Sequence, residues 1–266
     1  MFKKIVSLLI LTNLFNSIHA NYYLPSSLTL SQVQEKVKAR NVQCAWDIHN
    51  VLGQKQSGTK LKAFLSCPFA ILSTKITGHP AWKEVNKAAK LEDISGEAYY
   101  HIFLKHNQKD LAKMAQKSAN RYAPQKGIEQ IVHGINQQGI TQRLASNIGP
   151  QFLQNLKTRF KNKYKSSIFD IIKDGKVVDY STYSTNPNGA LPAHITAIPK
   201  PHYEFFTEYA KTYSHDGLII FIDDNLKNIQ MAQQAGWIAI HFDITNKKKN
   251  PVQQLRTDLA TLGIVV

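Results

Sequence analysis

Apolar runs followed by helical patterns set the rhythm of the chain. Val42 to Trp46, Leu218 to Ile222 and Trp237 to Phe242 read as strands, and Ile140 to Ala145 as a strand leading into Ser146. Ser167 to Ile172 is a further apolar run and is expected to be another strand, closed by a turn at Asp174-Gly175. Between these lie segments with apolar positions three and four residues apart. Gly127 to Gln138 carries Ile128, Ile131, Val132 and Ile135 on one side. Phe152 to Tyr164, His202 to Tyr213, Asn225 to Ala235 and Val252 to Leu262 read as helices too. Residues 176–197, rich in Tyr, Ser, Thr, Asn and Pro, read as a hairpin or long loop.

From Gly127 onward, helices and short apolar strands mostly alternate. Such alternation argues for an α/β fold, a parallel sheet with helices on both faces. Residues 21–41 read as a polar, partly helical entry segment. The stretch from about 54 to 125 is different, being rich in helical patterning without a convincing strand. Within it, Glu97 to Tyr122 places Tyr100, Phe103, Leu104, Leu111 and Met114 near the helical period, as the core of a small helical module. The expected organisation is therefore a core from residues 21–53 and 126–266, with residues 54–125 as a helical cap.

Composition changes the picture in two ways. The 266 residues carry 33 Lys and Arg against 18 Asp and Glu, a formal charge of +15. That balance favours anionic partners such as phosphorylated substrates, nucleic acid or acidic surfaces. Its densest cluster is Lys157, Arg159, Lys161, Lys163 and Lys165. No stacking aromatics alternate with these cations in a nucleic-acid-binding pattern, so a solvated helix face is the leading reading. The N-terminus reads as an export signal over residues 1–20. Lys3 and Lys4 form its positive start, Ile5 to Phe15 its apolar stretch, and Ala20 its cleavage point. The alternative is a membrane anchor over residues 5–20. Export would permit a disulfide between the two cysteines, Cys44 and Cys67. Cys44 lies in a strand pattern, however, where a buried free thiol is the expected outcome.

Polar residues at the strand ends carry the chemistry. Asp223 and Asp224 close the run from Leu218, Asp47 closes the run from Val42, Ser146 follows Ala145, and Lys200 precedes a helix. In a parallel sheet such ends share one edge, and ligands bind there. Paired carboxylates at the tip of a buried strand are costly to desolvate without a cation, which points to a metal ion. A carboxylate beside that ion and a lysine can attack a phosphoryl group, while a hydroxyl holds the phosphoryl oxygens.

Four segments in this order resemble the motifs of the haloacid dehalogenase (HAD) superfamily of hydrolases. They are Cys44-Ala-Trp-Asp47-Ile-His49-Asn50-Val51-Leu52, then Leu144-Ala-Ser146-Asn147, then Lys200-Pro201, and finally Ile220-Phe-Ile-Asp223-Asp224-Asn225-Leu-Lys-Asn228. The resemblance implies a Rossmann-like α/β core with a cap inserted after the first motif. It implies Asp47 as a nucleophile forming an aspartyl-phosphate. Ser146, Asn147 and Lys200 would contact the substrate, and Lys200 would also neutralise charge beside Asp47. Asp47, Asp223, Asp224 and the backbone carbonyl of His49 would hold Mg²⁺. Asn228 would order the loop and helix start. The expected partner is a small phosphomonoester.

His49 departs from the family pattern, which usually has a second aspartate two residues after the nucleophile. Imidazole can serve as acid and base near neutrality. Three readings follow. The chain is a phosphatase with His49 in the acid/base role, or it acts on a substrate whose leaving group needs little protonation. In the third reading it is catalytically impaired and binds a phosphorylated ligand or partner. A dehalogenase is the weakest reading, because that branch works without Mg²⁺ and an acidic pair suits a hard cation. Asn50 stands where glycine is frequent. Asparagine tolerates left-handed backbone, so the loop can still form.

Overall fold

The computed structural model describes residues 21–56, 78–91, 96–119, 121–178, 198–214, 217–246 and 250–266. The proposed leader, Cys67 and the loop after Val178 lie outside the described residues. Among the described residues there are eight strands: β1 (Tyr22–Tyr23), β2 (Val42–Trp46), β3 (Gly53–Lys55), β4 (Tyr122–Pro124), β5 (Thr141–Ala145), β6 (Lys173–Lys176), β7 (Leu218–Asp223) and β8 (Ile238–His241). The helices are α1 (Leu30–Lys38), α2 (Pro80–Leu91), α3 (Gly96–Lys105), α4 (Lys109–Ala119), α5 (Ile128–Gln137) and α6 (Pro150–Tyr164). They continue with α7 (Ile168–Ile171), α8 (Tyr203–Tyr213), α9 (Leu226–Gln234) and α10 (Pro251–Thr261).

Six strands form one sheet in the order β1-β8-β7-β2-β5-β6, parallel except for β1 at one edge. The period-two alternation of side chains explains why helices cover both faces. Cys44, Trp46, Leu144, Ile220, Ile222, Ile238 and Ile240 point into one core, with α1, α5, α6, α7 and α10. Their neighbours Ala45, Ala145, Ile219, Phe221 and Ala239 point into the other, with α8 and α9. On that second face three alanines leave room for large rings. Phe206 stacks edge-on to both Phe221 and Trp237, at centroid distances of 5.6 and 5.1 Å. Burial of each large side chain here contributes about 1.5–3 kcal/mol.

The chain builds outward from β2 in both directions. After β2 it adds β5 and β6 on one side, then crosses to add β7 and β8 on the other. The reversal places a crevice above the carboxyl ends of β2, β5 and β7, where an open α/β sheet binds ligands.

Three expectations need correction. Residues 54–125 do contain strand, because β3 and β4 pair antiparallel and bracket the helices α2, α3 and α4. Strands of three residues are too short to show a period. The entry segment is partly helical, as expected, its α1 opened by a capping box between Thr29 and Gln32, and it holds β1 besides. Ser167 to Ile172 is not a strand. Ile168–Ile171 is a short helix, whose Ile168 and Ile172 are buried four residues apart, and the strand is the polar Lys173–Lys176 that follows. A short apolar run fits either state, and here the helical spacing prevailed.

The Asp174-Gly175 pair accordingly lies within β6 rather than in a turn. A Cβ on Gly175 would lie 1.9 Å from the Leu144 carbonyl oxygen, so only glycine allows β6 this close to β5. The contact also bears on the strand-end residues, since the Ser146 N–H donates to the Lys176 carbonyl at 3.2 Å. Gly175→Ala is expected to destabilise the fold by roughly 1–3 kcal/mol or more. Urea denaturation measures this, and an unchanged midpoint would show that β6 can shift freely.

Candidate active site

β2 and β7 run in parallel register, Trp46 opposite Ile222, and the Asp47 N–H donates to the Ile222 carbonyl at 3.0 Å. Asp47 and Asp223 therefore arrive side by side at the central carboxyl edge. Ser146 reaches the same place from the end of β5, the neighbour of β2 on its other side. Lys200 comes from the turn before α8. Asp47, Ser146, Lys200 and Asp223 are all buried, Lys200 completely.

Their polar atoms form one connected group. Asp47 Oδ1 accepts from the Ser146 hydroxyl at 2.8 Å and from Lys200 Nζ at 2.8 Å. None of the hydrogen bonds among the described residues reaches Asp47 Oδ2. Lys200 Nζ also donates to Asp223 Oδ2 at 2.5 Å. It sits 5.1 Å from the centre of the Phe221 ring. Burial by itself would lower the pKa of Lys200. The adjacent Asp223 and Asp47 carboxylates outweigh it and hold the ammonium above the ordinary lysine value.

Asparagines hold this group in place. Asp223 Oδ1 accepts the Asn225 N–H at 2.7 Å, and Asn228 Nδ2 spans both Asp223 oxygens at 3.1 and 3.0 Å. Asn228 thus orders the loop and the start of α9, as expected. Asn147 is turned toward protein. Its Oδ1 accepts the Lys200 N–H at 2.8 Å and its Nδ2 donates to the Lys200 carbonyl at 2.9 Å. That pair of bonds fixes the backbone of Lys200 against the end of β5. Asn50, with φ 64°, adopts the left-handed backbone anticipated for it. Its Nδ2 donates to Asp224 Oδ2 at 2.7 Å, a contact that motif reading had not assigned.

Asp47, Asp223 and Asp224 each present a carboxylate oxygen within 4.8 Å of the others. Three carboxylates meet one ammonium among these side chains, which leaves net negative charge at a buried site. An all-oxygen donor set of this charge fits a hard divalent cation such as Mg²⁺. His49 is placed differently. Its half-buried ring lies 4.9 Å from that of Tyr122 on β4, tilted by 53°. A tight turn carries it, in which the Asn50 N–H donates to the Gly53 carbonyl and the Gly53 N–H to the Ile48 carbonyl.

Other sequence-level candidates have structural duties. Lys157 pairs with Asp174 and Lys161 with Asp170, and Arg159 donates to the Tyr122 carbonyl at 3.1 Å. Much of the basic cluster on α6 is therefore engaged within the protein. Cys44 is a buried free thiol, with its pKa pushed up to about 12 by burial. Among the described residues, no helix is long and apolar enough to cross a membrane.

No known family description matches the sequence, and no curated protein matches it. Solved structures do. The putative HAD-hydrolase YfnB from Bacillus subtilis, bound to magnesium, is 16% identical with a TM-score of 0.51, over 84% of this chain and 98% of that one. The HAD family enzyme bt-2542 from Bacteroides thetaiotaomicron is 15% identical with a TM-score of 0.49, over 77% and 95%. The L-2-haloacid dehalogenase from Xanthobacter autotrophicus is 14% identical with a TM-score of 0.46, over 85% and 84%. At such identities the likeness is one of fold. The chain has the α/β fold of the HAD superfamily, as its motifs implied.

Proposed function

We propose that the protein is a Mg²⁺-dependent hydrolase of small phosphomonoesters that works through an aspartyl-phosphate on Asp47. The observation that carries this reading is the Asp47 carboxylate. One of its oxygens is pinned by Ser146 and Lys200, and the carboxylate stands beside Asp223 and Asp224. The fold shared with YfnB, a structure that holds magnesium, supports it.

In the first step an Asp47 oxygen attacks phosphorus and the bond from phosphorus to the leaving oxygen breaks. Lys200 stays charged beside Asp47 and offsets negative charge on the phosphoryl oxygens, and the Ser146 hydroxyl is within reach of the same group. His49 gives a proton to the leaving oxygen. In the second step it takes a proton from water as that water attacks the phosphorus of the acyl-phosphate. Inorganic phosphate leaves and the Asp47 carboxylate returns. Asp47, Asp223 and Asp224 would hold a divalent cation, which would add positive charge against the phosphoryl oxygens.

The contact between His49 and Tyr122 favours a second reading, in which the imidazole stays on that ring and the site binds phosphorylated ligands with little turnover. A phosphomonoester panel with and without Mg²⁺, from about pH 5 to 9, separates the two. Under the first reading, His49→Ala lowers kcat by roughly 10²–10⁴-fold. A wild-type protein inert across the panel, beside a His49→Asp variant that gains activity, would establish the second.

A further inference from the structure

Asp258 on α10 is a buried carboxylate far along the chain from the motif residues, 1% exposed. It lies where β1 closes the edge of the sheet. Its Oδ1 accepts the Asn21 N–H at 3.3 Å and the Gln254 Nε2–H at 3.1 Å. Burial, and then the charge of Asp258, raises the pKa of the neighbouring Tyr22 phenol, so the carboxylate is felt along β1.

Asn21 is held there by the sheet. Its carbonyl accepts the His241 N–H at 2.7 Å, and Tyr22 and Tyr23 pair with Ile240 and Ala239. Strand register thus delivers the backbone nitrogen of Asn21 to a carboxylate removed from water. Burying a carboxylate is costly, and a cation at hydrogen-bond distance offsets that cost better than a neutral amide does.

We propose that Asp258 is the receptor for a chain terminus: the working form of the protein begins at Asn21, and its α-ammonium pairs with Asp258. Before the proposed cut, Ser17-Ile-His-Ala20 ends in the small side chain expected there, while Ile18 stands where a second small residue is usual. The step is hydrolysis of the bond between Ala20 and Asn21 by a peptidase that cuts after small residues. Water adds across the bond, Ala20 leaves as a carboxylate, and the Asn21 amine takes up a proton. An α-amino group, with an ordinary pKa of about 7.7–8.0, is largely protonated at neutral pH. Cleavage therefore turns a neutral hydrogen bond into a partly buried, charge-assisted one at the same nitrogen. The proposal is independent of the phosphatase reading.

Two measurements test it. Intact-mass analysis of the full chain, exported by a bacterial host, is expected to show a protein starting at Asn21. Thermal melts then compare chains released from a tag to begin at Asn21 or at Ala20. The sheet, both cores and the acidic site all lie within residues 21–266, so each form contains the whole described fold. The Asn21 form is expected to melt roughly 5 °C higher, and the gap should close when both carry Asp258→Asn. Should that variant fail to fold, Nα-acetylation of the Asn21 form removes the charge alone and should abolish the gain. A start at another residue, equal melting of the two forms, or a gap that survives loss of either charge overturns the proposal.

Discussion

Asp47→Asn is expected to lower phosphomonoester turnover by at least about 10⁴-fold while leaving the fold intact. Asparagine has the shape of aspartate. Its carbonyl oxygen can accept from Ser146 and Lys200 as Asp47 Oδ1 does, at 2.8 Å each. Lys200 would keep its second carboxylate, Asp223. What disappears is the proposed nucleophile, because an amide nitrogen takes the place of the second oxygen. Divalent-ion affinity should fall too, since one of three converging carboxylates becomes neutral. Single-turnover assays, with a search for covalent phosphate on the protein, measure the first effect. Turnover near the wild-type rate would eliminate Asp47 as nucleophile.

Removing Lys200 should act on the fold as much as on the chemistry. Lys200→Met keeps much of the side-chain volume and deletes the ammonium that Asp47 and Asp223 share. Both carboxylates are buried, and breaking a buried ion pair from one side costs roughly 3–5 kcal/mol. The expected result is a marked loss of stability in chelator, together with loss of turnover. Added Mg²⁺ should restore more of the melting temperature in the variant than it adds to the wild type, because there it replaces the positive charge that Lys200 supplied to these acids. Equal stability of variant and wild type in chelator would show that the carboxylates do not need the lysine.

The central strands were legible because they are buried on both faces and read as apolar runs with a polar tip. Their order in the motifs located Asp47, Ser146, Lys200 and Asp223 at one edge. The sheet margins were not legible, for reasons of exposure and length. β6 is Lys-Asp-Gly-Lys, an exposed to half-exposed edge strand with no apolar signal, and its glycine serves close approach rather than a turn. β1, β3 and β4 have two or three residues each, too few for alternation to show. The asparagines illustrate a different limit. Asn147 and Asn50 stand within motif segments, yet an amide can serve ligand or backbone equally well. Only the geometry shows Asn147 on Lys200 and Asn50 on Asp224. His49 was legible as a departure, whereas its contact with Tyr122, 73 residues on, depends on a hairpin that carried no sequence signal.

The two oxygens of Asp47 are interchangeable in a free carboxylate and distinct here. A half-turn of the side chain would exchange identical atoms, yet in this setting Oδ1 carries both protein donors and Oδ2 carries none from the described residues. The environment has thus broken a molecular symmetry. Under the proposed chemistry, a phosphoryl group would go to the one oxygen that the described residues leave without a donor, so the side of attack would be set before any substrate arrives. Each proposed turnover would then return the carboxylate in the orientation from which the next begins.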